Sequence, residues 1–192
     1  MTPDNISSAS DKLLKAAQVL FYNYGITATG IDALVKRAGV AKKSLYNNFS
    51  SKDALIEAYI TARHQQWLDL YQRRAAEIIS PQEGVMAVFS AYADHAGFDY
   101  EHAFRGCGLL NAAAELPTGS AGRQAISRHK QQVEDILKQH LSQLTPDHQR
   151  SDLLARHLSF LLEGSISRAG LEGNSHYVQQ AAEMARILTE AL

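Results

Sequence analysis

Lys42, Lys43, Ser44, Tyr46, Asn47 and Asn48 fall within seven consecutive residues of a 192-residue chain. Two ammonium groups, a hydroxyl, a phenol and two carboxamides supply many hydrogen bonds at short spacing. They include no nucleophile–base pair and no metal-ligand set. This is the chemistry of reading a polar surface, not of breaking bonds. Lysine suits phosphate oxygens and guanine edges, and asparagine suits adenine. As a helix the stretch makes only about two turns, so most of these side chains must point away from the protein. Val40, Leu45 and Phe49 are left to anchor it inward.

The neighbouring sequence positions such a helix. Gly39 supplies a tight turn, where a positive φ costs glycine little. Before it, Ile31, Leu34, Val35 and Ala38 form the inner face of a second short helix, with Thr29 as its expected cap and Asp32 three residues on. An earlier helix, from about Ser10 to Tyr24, carries Leu13, Ala17, Leu20, Phe21 and Tyr24 as an apolar stripe. Ser8 with Asp11 has the spacing of a capping box, and Gly25 ends the helix. Ser50 with Asp53 opens a long fourth helix, expected to reach Ile79. Two short helices joined by a glycine turn form a helix-turn-helix, which places its second helix in the DNA major groove.

Thr29, Ile31, Ala38-Gly39-Val40, Leu45-Tyr46, Phe49, Lys52 and Leu55 together resemble the N-terminal domain of the TetR family of bacterial transcriptional regulators, over about residues 10–57. The resemblance implies a repressor that binds a palindromic double-stranded operator as a homodimer and releases it when a small-molecule effector binds elsewhere. It places Thr29, Tyr46 and Lys52 on phosphates. Lys42, Lys43, Ser44 and Asn47 then remain as the base-edge candidates. Gly30 and Asn48 depart from the family, which often has Thr or Val at the first position and His at the second. Both departures bear on operator preference.

The rest of the chain reads as helix punctuated by caps, so the expected fold class is all-α with about nine helices. A helix-turn-helix domain is expected over 1–52 and an effector-binding and dimerisation domain over 53–192. Ser80-Pro81-Gln82-Glu83 and Thr145-Pro146-Asp147 are strong helix starts. The middle helices carry the effector-pocket candidates: Trp67, Tyr71, Phe89, Tyr92, His95, Phe98, Cys107, Leu110, Asn111 and Glu115. The last two helices carry the dimer candidates: Leu154, Leu158, Leu161, Leu162, Val178, Ala181, Ala185 and Leu188.

Charge agrees with this division. Residues 1–60 hold seven Lys/Arg against five Asp/Glu, and the remainder twelve against fifteen. A mildly basic head on an acidic body suits local contact with DNA. The single cysteine, Cys107, excludes an intrachain disulfide. Its surroundings carry no cysteine-protease signature, and the eight histidines lack metal-ligand spacing. No enzyme activity, cofactor or metal is therefore expected. The first residues lack the basic start and apolar run of a signal peptide, and no apolar run spans a membrane, so a cytoplasmic protein is expected. Two other readings stand beside the main one. One is a helical ligand-binding or protein-interaction module without specific DNA binding. The other is a regulator that senses redox state through the Cys107 thiol.

Overall fold

The computed structural model describes residues 8–192. The expectation that the first residues are not a signal peptide falls almost wholly on residues 1–7, outside the described ones. Among the described residues there are nine α-helices and no strand: α1 Ala9–Tyr24, α2 Ile31–Ala38, α3 Lys42–Asn48, α4 Lys52–Ala75, α5 Pro81–Ala96, α6 Gly108–Glu115, α7 Ala121–Leu141, α8 His148–Glu172 and α9 His176–Glu190. No helix among them is long and apolar enough to cross a membrane.

Local chemistry sets most boundaries. Ser8 and Asp11 form the expected capping box at the start of α1. Ser80 accepts the Glu83 N–H, and Pro81 begins α5. Gly39, at φ 65°, closes α2 with its N–H directed at the last-turn carbonyls. Three caps differ from the sequence expectation. Gly30, not Thr29, is the N-cap of α2. Ser51, not Ser50, accepts the Ala54 N–H at the start of α4. Asp147, not Thr145, caps α8 by accepting the N–H groups of Gln149 and Arg150. In each case the true cap lies one or two residues on, a shift too small for side-chain type alone to resolve.

The chain divides into two compact units. The first comprises residues up to Arg63 together with Gly108–Ala125; the second comprises His64–Cys107 and Ile126–Leu192. A cut at residue 52 therefore differs from the structure in two ways. The first half of α4 and all of α6 belong with the helix-turn-helix. In the first unit Leu13, Ala17, Leu34, Leu45 and Leu55 are completely buried and hold α1, α2, α3 and the start of α4 around one core. Phe21 meets Tyr59 edge-on, with ring centroids 5.5 Å apart. Gly108 brings the start of α6 to Tyr59 and Arg63, where an added Cβ would lie 3.0 Å from both side chains.

In the second unit α5, α8 and α9 pack against one another. Val88, Phe89, Leu158, Leu162, Val178 and Ala185 are fully enclosed. Gly106, at φ 83°, lies directly against Gly170 of α8. A Cβ on Gly170 would fall 2.5 Å from the Gly106 nitrogen and 2.6 Å from its Cα.

Candidate nucleic-acid interface and buried polar cluster

α3 buries only Leu45. Lys42, Lys43, Tyr46, Asn47 and Asn48 are exposed, and Ser44 is half-buried. Tyr46 keeps 51% of its surface open, a large aromatic side chain standing in solvent. The structure thus brings together on one short helix six of the residues singled out for DNA contact.

Several of them also have work within the chain. Lys42 donates to Asp32 at 3.0 Å, an exposed pair that raises the Lys42 pKa through that hydrogen bond. Asn48 donates its amide to the Ser44 carbonyl at 2.7 Å, leaving its side-chain oxygen as an acceptor. Lys52, half-buried, donates to the Ile26 carbonyl at 2.6 Å. Gly30 is exposed, with open space where a Cβ would stand.

The assignment of Thr29 to a phosphate is corrected. Its side chain is 3% exposed. Its hydroxyl lies 2.7 Å from the Gly25 carbonyl and 3.2 Å from that of Leu20. A hydroxyl has one proton to give, and a phosphate offers only acceptors, so this side chain secures the turn instead.

The ten effector candidates are not gathered into one place. Leu110, Asn111 and Glu115 belong to the first unit, the other seven to the second. Glu115 is corrected outright. Its carboxylate accepts the backbone N–H groups of Ile26 at 3.0 Å and Thr27 at 2.7 Å. Burial opposes its charge, but those N–H groups and Lys52 outweigh it and hold the carboxyl below the ordinary glutamate range. Phe98 is 40% exposed and packs edge-on against His95.

Four of the candidates, Trp67, Tyr71, Tyr92 and Cys107, converge on a largely buried cluster that the sequence did not reveal as such, whereas Phe89 faces α9 and His95 packs against Phe98 and Tyr100. Lys130, on α7, pairs with Glu163 of α8 at 2.7 Å. Its ammonium also lies 3.4 Å from the Tyr92 hydroxyl and 3.5 Å from Cys107 Sγ. Burial opposes the lysine charge, yet Cys107, Tyr92 and Glu163 together raise its pKa. Burial likewise pushes the Tyr92 phenol up. Trp67 stacks parallel on Tyr71 at 5.6 Å and also meets Tyr92 and His129. His64 and His129, 65 residues apart, approach to 2.6 Å through their Nδ1 atoms. Burial, then the Lys130 charge and His64, push His129 down to about 3. Trp67 Nε1 and Glu163 Oε2 are buried without a hydrogen-bond partner. No group of three or more His, Cys, Asp or Glu side chains among the described residues is arranged to hold a metal ion.

The dimer candidates divide in two. Leu158, Leu162, Val178 and Ala185 are completely buried in the second unit's own core, and this corrects their assignment to an interface. Ala181 is also buried, though it borders a groove. Leu154, Leu161 and Leu188 line two grooves along α8 and α9, of about 260 Å³ and 410 Å³. Sequence reasoning missed two well-exposed apolar side chains on these helices, Phe160 at 67% and Met184 at 55%, which stand beside Leu153 at 70% and Ile187 at 55%. A signal was present for Phe160, which lies seven residues from Leu153 and so on the same face of α8.

Comparison with known proteins gives one answer. Residues 13–59 match the family model described as bacterial regulatory proteins, tetR family. The chain is 30% identical over 90 residues to the HTH-type transcriptional repressor KstR2 of Mycolicibacterium smegmatis, covering 47% of this chain and 44% of that one. The match thus spans less than half the length of that relative. Over 175 residues it is 27% identical to the HTH-type transcriptional repressor ComR of Escherichia coli, covering 86% of this chain and 80% of ComR. Among solved structures, SCO4454, a TetR-family transcriptional regulator from Streptomyces coelicolor, superposes with a TM-score of 0.82 at 27% identity, covering 95% of this chain and 93% of that one.

Proposed function

Because the chain belongs to the TetR family of bacterial transcriptional regulators, we propose that it represses transcription as a homodimer on a palindromic operator and lets go when a small molecule binds its second unit. The observation that carries this reading is α3, a helix whose outer surface is almost wholly lysine, amide, hydroxyl and phenol.

A two-turn helix reads few bases, and a mismatched base pair costs only about 1–3 kcal/mol. Two copies double the readout and require a palindrome. The exposed apolar stripe on α8 and α9 supports self-association, since a monomer gains nothing by leaving Leu153, Phe160, Met184 and Ile187 in water. On the DNA, Lys43, Ser44 and Asn47 are the base-edge readers. Tyr46 contacts phosphate. Lys42 and Lys52 divide their charge between phosphate and their intrachain partners.

The polar cluster around Lys130 supports effector binding in the second unit. Each buried polar atom without a partner costs about 1–3 kcal/mol. A ligand with an acceptor for Trp67 Nε1 and a donor for Glu163 Oε2 recovers that cost. An effector favouring the released state about 100-fold supplies about 2.7 kcal/mol of coupling.

The test is operator binding against salt, on a duplex selected from a random pool by the wild-type protein. Lys52→Ala is expected to reduce the salt slope by about two per dimer, whereas Tyr46→Ala, which removes a phenol that displaces no counterion, should weaken binding at every salt concentration with the slope unchanged; affinity unaffected by Tyr46→Ala would remove Tyr46 from the phosphate contacts. Trp67 is the chain's only tryptophan, so its fluorescence reports effector binding directly. A compound that shifts that emission without weakening the operator complex would sink the induction reading. A thiol switch is the second reading, favoured by the contact between Cys107 and Lys130. Hydrogen peroxide, which converts a thiol to a sulfenic acid with release of water, would then free the operator from wild type but not from Cys107→Ser.

A further inference from the structure

The turn between α1 and α2 is held by side chains from two distant helices. Glu115, the last residue of α6, accepts the Ile26 N–H through one carboxylate oxygen and the Thr27 N–H through the other. Lys52, the first residue of α4, donates to the Ile26 carbonyl. Donors and acceptor all belong to a stretch without regular secondary structure, where backbone groups must find partners outside a helix ladder. Gly25 completes the seat: it sits at φ 89°, and a Cβ there would fall 2.6 Å from the Glu115 oxygen. Two residues beyond Thr27, the Thr29 hydroxyl ties the same turn to the Gly25 carbonyl, and Gly30 then opens α2.

We infer that Glu115 is a positioning residue for DNA reading: through the Ile26 and Thr27 amides, α6 sets the turn from which the helix-turn-helix begins. The inference rests on the DNA-binding reading above. A carboxylate receiving two N–H groups makes a bidentate, charge-assisted contact. A displacement of α6 by about 1 Å takes both bonds beyond hydrogen-bonding distance. The seating of α6 and the order of the turn are thus a single equilibrium, and the operator-binding form is the one with the carboxylate engaged. The chain passes from the second unit into the first between Cys107 and Gly108, so the residue before α6 is also a member of the Lys130 cluster.

The experiment compares wild type with Glu115→Gln, Glu115→Ala and Gly25→Ala, using amide exchange and affinity for the selected duplex. Glutamine keeps the shape but presents one acceptor and an NH2 group to two N–H donors. It is expected to speed exchange at Ile26 and Thr27 at least tenfold and to leave the amides of Leu13–Phe21 as protected as before. Operator affinity should fall at least tenfold with an unchanged salt slope, because no phosphate contact is lost. Gly25→Ala should do the same, and the Glu115→Gln/Gly25→Ala pair should be no weaker than Gly25→Ala alone. If alanine at 115 prevents folding, the isosteric glutamine variant carries the decision. Faster exchange with operator affinity within twofold of wild type would overturn the inference, and so would unchanged exchange at the two amides. If wild type selects no duplex at all, the DNA-binding reading fails and takes this role with it, while the exchange result still shows separately whether the carboxylate holds the turn.

Discussion

Two lysine–carboxylate pairs of similar length do opposite things in the two units. Lys42 and Asp32 meet at 3.0 Å with 56% and 86% of their side chains exposed. Lys130 and Glu163 meet at 2.7 Å with 18% and 25% exposed. In water such a pair contributes little and can be traded for another partner at small cost. Inside the protein both partners have left water, and removing one strands the other. The reader therefore carries charges it can lend to a nucleic acid, whereas the second unit carries charges committed to its own interior.

The sharpest way to break this contrast is Lys130→Met. Losing one partner of a fully buried pair costs about 3–5 kcal/mol. The residual exposure here brings the expectation to about 3 kcal/mol, a fall in Tm of roughly 6–12 °C. A Tm within 2 °C of wild type would mean that the cluster is hydrated and that the two pairs are alike. Next in size is Phe160→Asp, which puts a charge on the apolar stripe of α8. Sedimentation should then show the dimer weakened at least tenfold, with operator affinity following and helix content intact. An unchanged dimer would move the interface off this stripe.

A third test uses His129. Its ordinary value is 6.5, and burial holds it near 3 in the fold. Below pH 6.5 the unfolded chain takes up a proton that the folded one refuses. Stability is therefore complete above 6.5 and declines as the pH drops from there toward 3. Between pH 7.5 and 5.5 the expected loss is about 1 kcal/mol, and His129→Gln should flatten the Tm profile over that range. The smallest effect belongs to Lys42→Ala. Its Tm should not change measurably, while operator affinity falls by about tenfold. A clear loss of stability would show that the reader's exposed pair also supports the fold.

The reader was legible in the sequence because its determinants are local. Gly39, the spacing of Leu34 and Leu45, and the polar run from Lys42 to Asn48 fix a turn and two helices within twenty residues, and the expected bounds of α3 match those observed. Glu115 was misread because its partners lie 88 and 89 residues away, and nothing in its own helix marks it as a clamp. The Lys130 cluster was hidden for the same reason. Lys130 sits in a strongly polar helix, and only the approach of α5 and α8 makes it a buried charge. The last two helices show a different limit. Periodicity finds apolar stripes, but it cannot tell a stripe that faces its own core, such as Leu158 and Leu162, from one that faces outward, such as Leu153 and Phe160.

The contact between Gly106 and Gly170 has a consequence for how this protein can change over time. Two stretches of main chain lie so close that even a methyl group at 170 would overlap the backbone opposite. Any variant at that position must first push away the loop that carries Cys107. Mutational drift can exchange residues elsewhere one at a time, but here a second, compensating change has to arrive together with the first. The pair works as a historical lock: once closed, it leaves glycine the one residue that position 170 accepts while the opposite main chain stays in place.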